Sequence, residues 1–139
     1  MKYLLEMIKN LKSFKGEYAN ELEVKRNLNK IFKESNYLID THTSVAYTAY
    51  RKYLRDSHDC TPTVIVSTAS PYKFSKDVLY YIGQEVNNLD EFEIIEKLSY
   101  ISKTSVPLPI EKLKTSSILH KTNCEKDEIK NTIEKILKV

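Results

Sequence analysis

Ser67, Thr68 and Ser70 bring three hydroxyls together directly after a β-branched apolar run, and Pro71-Tyr72-Lys73-Phe74 follows. A hydroxyl at the end of such a run could donate to or accept from a bound small molecule, because ligands of α/β proteins gather where strands end. It could equally cap a helix beginning near Pro71. Lys73 could reach a phosphate group, although a lysine in a first helical turn is more often solvated. His42 could act as a general acid or base, or brace the helix start at Thr41 or Thr43. Thr41 or Thr43 can cap that helix, and Asp40 either caps it or pairs with a neighbour. His58 and Cys60 are two residues apart, but no second ligand pair completes a zinc site, so no metal is expected. Cys60 lies in a polar turn with no cation beside it in sequence to activate its thiol.

The two glycines, Gly16 and Gly83, are the informative deficit among the 139 residues. Phosphate groups of cofactors are usually held by glycine-rich turns at helix N-termini. Two isolated glycines build no such turn, so a cofactor phosphate is not expected to be held by this chain.

The elements that must position these side chains read mainly as helices. Leu4, Leu5, Ile8 and Leu11 give a helical stripe over 2–12. Asn20 caps a second stripe of Val24, Leu28, Ile31 and Phe32. Residues 36–40 form a short apolar run, either a brief strand or a helix-to-helix connection. A third helix runs to about Arg55, with Val45, Ala49, Tyr50 and Tyr53 expected to face inward. Pro62 to Ser67 is apolar on both faces, as in a buried parallel strand. Helices over 71–83 and 91–103 follow. Val106 to Pro109 reads as an extended linker, and Lys126 to Leu137 as a final helix burying Ile129, Ile133, Ile136 and Leu137. The fold class expected is α/β, mostly helical, with one or two parallel strands. A buried parallel strand needs neighbours on both edges, and the sequence supplies at most one weak candidate. Its partners are therefore expected on residues outside this chain, which itself reads as a single domain over 1–139.

Composition excludes several functions. Lys and Arg total 22 against 19 Asp and Glu, a net charge of +3, with both signs interspersed. That gives no basic face for nucleic acid, and the 10 tyrosines fall on helix faces without basic interleaving. No apolar stretch is long enough for a membrane span. Two separated thiols, Cys60 and Cys124, without a secretory signal suggest the cytoplasm.

Two stretches carry a family resemblance. Tyr37-Leu38-Ile39-Asp40-Thr41-His42-Thr43-Ser44-Val45-Ala46-Tyr47 and Thr61-Pro62-Thr63-Val64-Ile65-Val66-Ser67-Thr68-Ala69-Ser70-Pro71-Tyr72-Lys73-Phe74, in this order and separation, resemble the C-terminal portion of bacterial threonine synthases. There an acidic residue, any residue and then His open a helix. A later strand ends in Thr-Ala, a small residue or His, Pro, any residue and Lys-Phe. The resemblance implies an enzyme converting O-phospho-L-homoserine and water to L-threonine and phosphate with pyridoxal 5'-phosphate (PLP). It implies part of a PLP fold type II large domain, as in tryptophan synthase β subunits, with Thr68 on the pyridine nitrogen. Ser67, Ser70, His42 and Lys73 would line the same pocket.

The Schiff-base lysine that the resemblance requires is absent. Ser13-Phe14-Lys15-Gly16 lacks the Asp that follows the family's lysine, so Lys15 reads as a solvated turn residue. The chain alone is accordingly expected to be inactive and to bind no cofactor. Its expected partner is the N-terminal part of the same enzyme, and without it the fragment is expected to self-associate through exposed apolar surface. The alternative reading is a helical protein-interaction or regulatory module without an active site.

Overall fold

A computed structural model describes residues 3, 6, 10, 11 and 13–138. The helix expected over 2–12 lies largely outside the described residues. Two compact units are present, Met1–Leu108 and Pro109–Val139.

Among the described residues, the first unit is built from four α-helices. α1 (Glu21–Ser35) starts at Asn20, whose side chain accepts from the Glu23 amide while the Glu23 carboxylate accepts from the Asn20 amide, at 3.0 and 2.9 Å. This reciprocal box satisfies two amides that a helix start otherwise leaves unpaired. α2 (Thr41–Ser57) starts at Asp40 and ends at His58, whose φ of 56° is left-handed. A 3₁₀ turn (Pro71–Phe74) leads into α3 (Ser75–Tyr81). α4 (Glu91–Ser102) begins at a second capping box, formed by Asp90 and Glu93.

α1 packs on α2 and α3, and α3 packs on α4. Val24, Leu28, Val78, Leu79, Ile94 and Leu98 are buried at these contacts, together with Ile39, Tyr72, Tyr81 and Ile82. Each fully buried leucine contributes about 2 kcal/mol of transfer free energy. The face that α2 turns inward is polar, because Thr43, Ser44 and Thr48 are buried while Val45 is exposed. Hydrogen bonds explain the preference. Ser44 Oγ donates to the Val24 carbonyl at 2.8 Å, Thr48 Oγ1 to the Ser44 carbonyl at 2.7 Å, and Asn27 Nδ2 to Thr48 Oγ1 at 2.8 Å. Small hydroxyl side chains let the two backbones approach, and each hydroxyl is satisfied where it is buried.

The expected α/β class is not observed: among the described residues there is no strand, and the fold is helical. Residues 61–68 are irregular, with Val64 88% and Val66 70% exposed. The physical reason lies in the pairing. A β-branched run favours extended backbone, but a ladder needs a second segment to exchange amide bonds. The described residues provide none, so Thr61 folds back on its neighbour instead, its amide and hydroxyl donating to Asp59 Oδ1 at 2.9 and 2.6 Å.

The second unit holds α5 (Leu108–Leu113), which starts at the last residue of the first unit, a 3₁₀ turn (Lys126–Glu128) and α6 (Ile129–Leu137). The linker expected at Val106 to Pro109 thus opens a short helix. α6 is amphipathic as expected, yet in this unit Ile129, Ile133, Ile136 and Leu137 are exposed rather than buried. No helix among the described residues is long and apolar enough to cross a membrane.

Candidate functional site

The residues singled out from the sequence gather at the start of α2 and the 3₁₀ turn before α3. Asp40 organises this corner. Its side chain is fully buried, and Oδ1 accepts from the His42 and Thr43 amides at 2.8 and 3.2 Å. Two bonds to first-turn amides are what an Asp N-cap supplies. Oδ2 accepts a hydrogen bond from the Thr43 hydroxyl.

Ser67 reaches the same group from the irregular segment. Its Oγ is 2.9 Å from Thr43 Oγ1 and 3.4 Å from Asp40 Oδ2. Contacts spanning 24 and 27 residues therefore hold residue 67 against the start of α2. Ser70 acts locally: its Oγ accepts from the Tyr72 amide at 3.3 Å and its carbonyl from the Lys73 amide at 3.0 Å. Tyr72 is buried behind it, its hydroxyl donating to the Thr104 carbonyl at 2.7 Å.

His42 is 63% exposed at its side chain, with Nδ1 3.6 Å from Asp40 Oδ1 and 3.4 Å from Thr41 Oγ1. Its ring lies 4.7 Å from the Phe74 ring, tilted by 40°. Lys73 Nζ lies 5.6 Å from the centroid of the same ring, within cation–π reach. A depression of about 320 Å³ opens beside His42 and Phe74, with Val24, Val45 and Tyr81 on its apolar wall and Glu21 and Asp77 at its edge. Thr68 is exposed, and among the described residues its hydroxyl has no hydrogen-bond partner.

The structure thus brings Ser67 and His42 together around Asp40, and His42 and Lys73 around Phe74. Ser70 remains with its own turn, and Thr68, between Ser67 and Ser70, makes no side-chain hydrogen bond among the described residues. The sequence offered Asp40, Thr41 or Thr43 as the cap, and the structure uses Asp40; its reach to Ser67 and the Phe74 ring as a shared platform were missed. Thr43, three residues after Asp40, carried the available signal, since that spacing lets a cap's second oxygen meet a hydroxyl on the first turn.

Other candidates have structural partners. Lys15 Nζ is 3.7 Å from Glu17 Oε1 and largely exposed. His58 ends α2, its amide donating to the Leu54 carbonyl at 2.9 Å. Cys60 and Cys124 are free and exposed, and no group of three metal-ligating side chains occurs among the described residues.

The fit to PLP is partial and specific. An exposed, unbonded hydroxyl at Thr68 suits a pyridine nitrogen, which needs a single hydrogen-bonding group. The glycines do not suit its phosphate. Gly83, at φ 82°, forms the end of α3, its amide donating to the Tyr80 carbonyl at 3.1 Å, and Gly16 stands alone in an irregular stretch. The described residues thus offer one exposed hydroxyl at Thr68 and no glycine-built phosphate cradle.

A family model described as threonine synthase, C-terminal, matches residues 43–115. That span is more than half of the 139-residue chain and contains Ser67, Thr68, Ser70 and Lys73. His42 and Asp40 lie immediately before it. With this match over the segment that builds the corner, the chain belongs to the threonine synthase family, through that family's C-terminal region.

Proposed function

We propose that this chain is the carboxy-terminal part of a threonine synthase, an enzyme forming L-threonine and phosphate from O-phospho-L-homoserine and water. The observation that carries the reading is the family match across residues 43–115, together with the exposed and unbonded hydroxyl of Thr68 inside it. PLP, when bound, supplies an electron sink for the elimination and replacement steps.

Thr68 contributes the hydrogen-bonding group for the pyridine nitrogen. A hydroxyl does not enforce a protonated ring, as a carboxylate would, so the sink is a mild one. Ser67 and Ser70 fix the backbone on either side of Thr68, while His42 and Lys73 bring the chain's polar and cationic groups to the edge of the same corner. Attachment of the cofactor and binding of its phosphate fall to the N-terminal part of the enzyme, which is the chain's partner. The exposed Val64 and Val66 give that part an apolar surface to cover. Without it the chain is inactive. The two free thiols fit a reducing cytoplasm.

The test is reconstitution with the residues that precede this region in a full-length enzyme. Mixing the two folded parts with PLP is expected to produce a protein-bound cofactor absorption band and phosphate release from O-phospho-L-homoserine. Absence of both, with each part folded by circular dichroism, overturns the proposal.

A further inference from the structure

Thr68 sits between two anchors. On one side, the Ser67 hydroxyl lies 2.9 Å from Thr43 Oγ1 and 3.4 Å from Asp40 Oδ2. On the other, Ser70 is locked into the 3₁₀ turn by the Tyr72 and Lys73 amides. Upstream, Val64 and Val66 are exposed. Fixation of this irregular stretch is therefore concentrated at Ser67 and Ser70.

Asp40 does more than a helix start requires. Its Oδ1 alone takes both first-turn amides. That is the whole of what an N-cap contributes, and Ser or Asn contributes as much. Oδ2 is then free of the cap and is turned onto Thr43 and Ser67. A buried carboxylate oxygen costs free energy unless hydrogen-bonded, and here the bonds it makes reach a segment 27 residues away.

We propose that Asp40, acting through Thr43 and Ser67, is a positioning residue that fixes where the Thr68 hydroxyl is presented. The functional meaning rests on the reading of Thr68 given above; the tether stands on its own geometry. Ser67→Ala is the clean perturbation, because it removes the far end of the tether and leaves the cap of α2 intact. The Ser67 contact of ordinary bond length is to the neutral Thr43 hydroxyl, and losing such a bond changes a local opening equilibrium by roughly fivefold.

The measurement is amide ¹⁵N relaxation on the 139-residue chain. The tether predicts rigid order parameters of about 0.8 at Ser67, Thr68 and Ala69 in the wild type and below about 0.6 in Ser67→Ala. Residues 44–54 of α2 keep their values in both. Ser67→Thr, which retains the hydroxyl, restores order at the segment. Unchanged order in Ser67→Ala, or a wild-type segment already below about 0.6, overturns the proposal. Failure of the cofactor reading appears elsewhere, as an unaltered cofactor spectrum in a reconstituted Thr68→Val enzyme, and leaves these order parameters as they are.

Discussion

Replacing Asp40 by Ala removes its bonds from two amides and from the Thr43 hydroxyl, and their sum can be worked from the structure. Loss of the α2 cap, two bonds to the His42 and Thr43 amides, costs about 1 kcal/mol. The Thr43 hydroxyl is buried and loses its carboxylate acceptor, which costs a further ~1–3 kcal/mol. Relief of carboxylate burial offsets part of this, so Asp40→Ala is expected to destabilise the first unit by about 2–3 kcal/mol. With a urea slope of ~2 kcal/mol per molar, the midpoint followed by circular dichroism falls by about 1–1.5 M. Asp40→Asn keeps a carbonyl oxygen for the two amides and offers an amide to the Thr43 oxygen. It is expected to lose only about 1 kcal/mol. A midpoint unmoved by Asp40→Ala, or equal losses in the two variants, refutes the two-oxygen account of this residue.

Three further outcomes follow from the packing and the charges. Leu28→Ala is expected to cost ~2–5 kcal/mol, because Leu28 is fully buried between helices, whereas Val64→Ser stays within ~0.5 kcal/mol; urea melts that rank them otherwise contradict the fold. The Asn20 amide and the Lys52 ammonium hold the Glu23 carboxyl below its ordinary 4.5. A carboxyl lowered by folding contributes stability that is present above its unfolded pKa and lost as pH falls through the folded one. Glu23→Gln is therefore expected to flatten the acid side of the stability profile below about pH 4.5, and an unchanged acid limb speaks against the pairing. The chain alone is expected to self-associate through Val64, Val66 and the apolar side chains of α6. Sedimentation velocity checks this, with a sharp monomer that binds no dye for exposed apolar surface as the contrary result.

Helices were legible in this sequence because their signals are local. Asn20 with Glu23, and Pro71 after Ser70, mark starts that the structure shows, since a cap and its amide lie within three residues. Asp40 was legible as a candidate cap for the same reason. Its contact with Ser67 was not, because nothing near residue 40 encodes an interaction 27 positions away. The run from Pro62 to Ser67 shows the opposite failure. β-branched composition states what backbone a segment prefers, but a strand exists only when a partner supplies its ladder. The inward face of α2 was misjudged because hydropathy favours Val45 over Ser44. The Ser44 and Thr48 hydroxyls bury well once Val24 and Asn27 of α1 receive them. Of the site, the hydroxyls and His42 could be named in advance, while their shared organiser required tertiary structure.

The central claim concerns one oxygen atom, and the bound-cofactor absorption spectrum of the reconstituted enzyme addresses it. Thr68→Val keeps the shape of the side chain and removes the hydroxyl; Thr68→Ser keeps the hydroxyl. The account predicts an altered band and weakened PLP retention for Val, with Ser close to wild type. Identical spectra and cofactor affinity for all three proteins would contradict it.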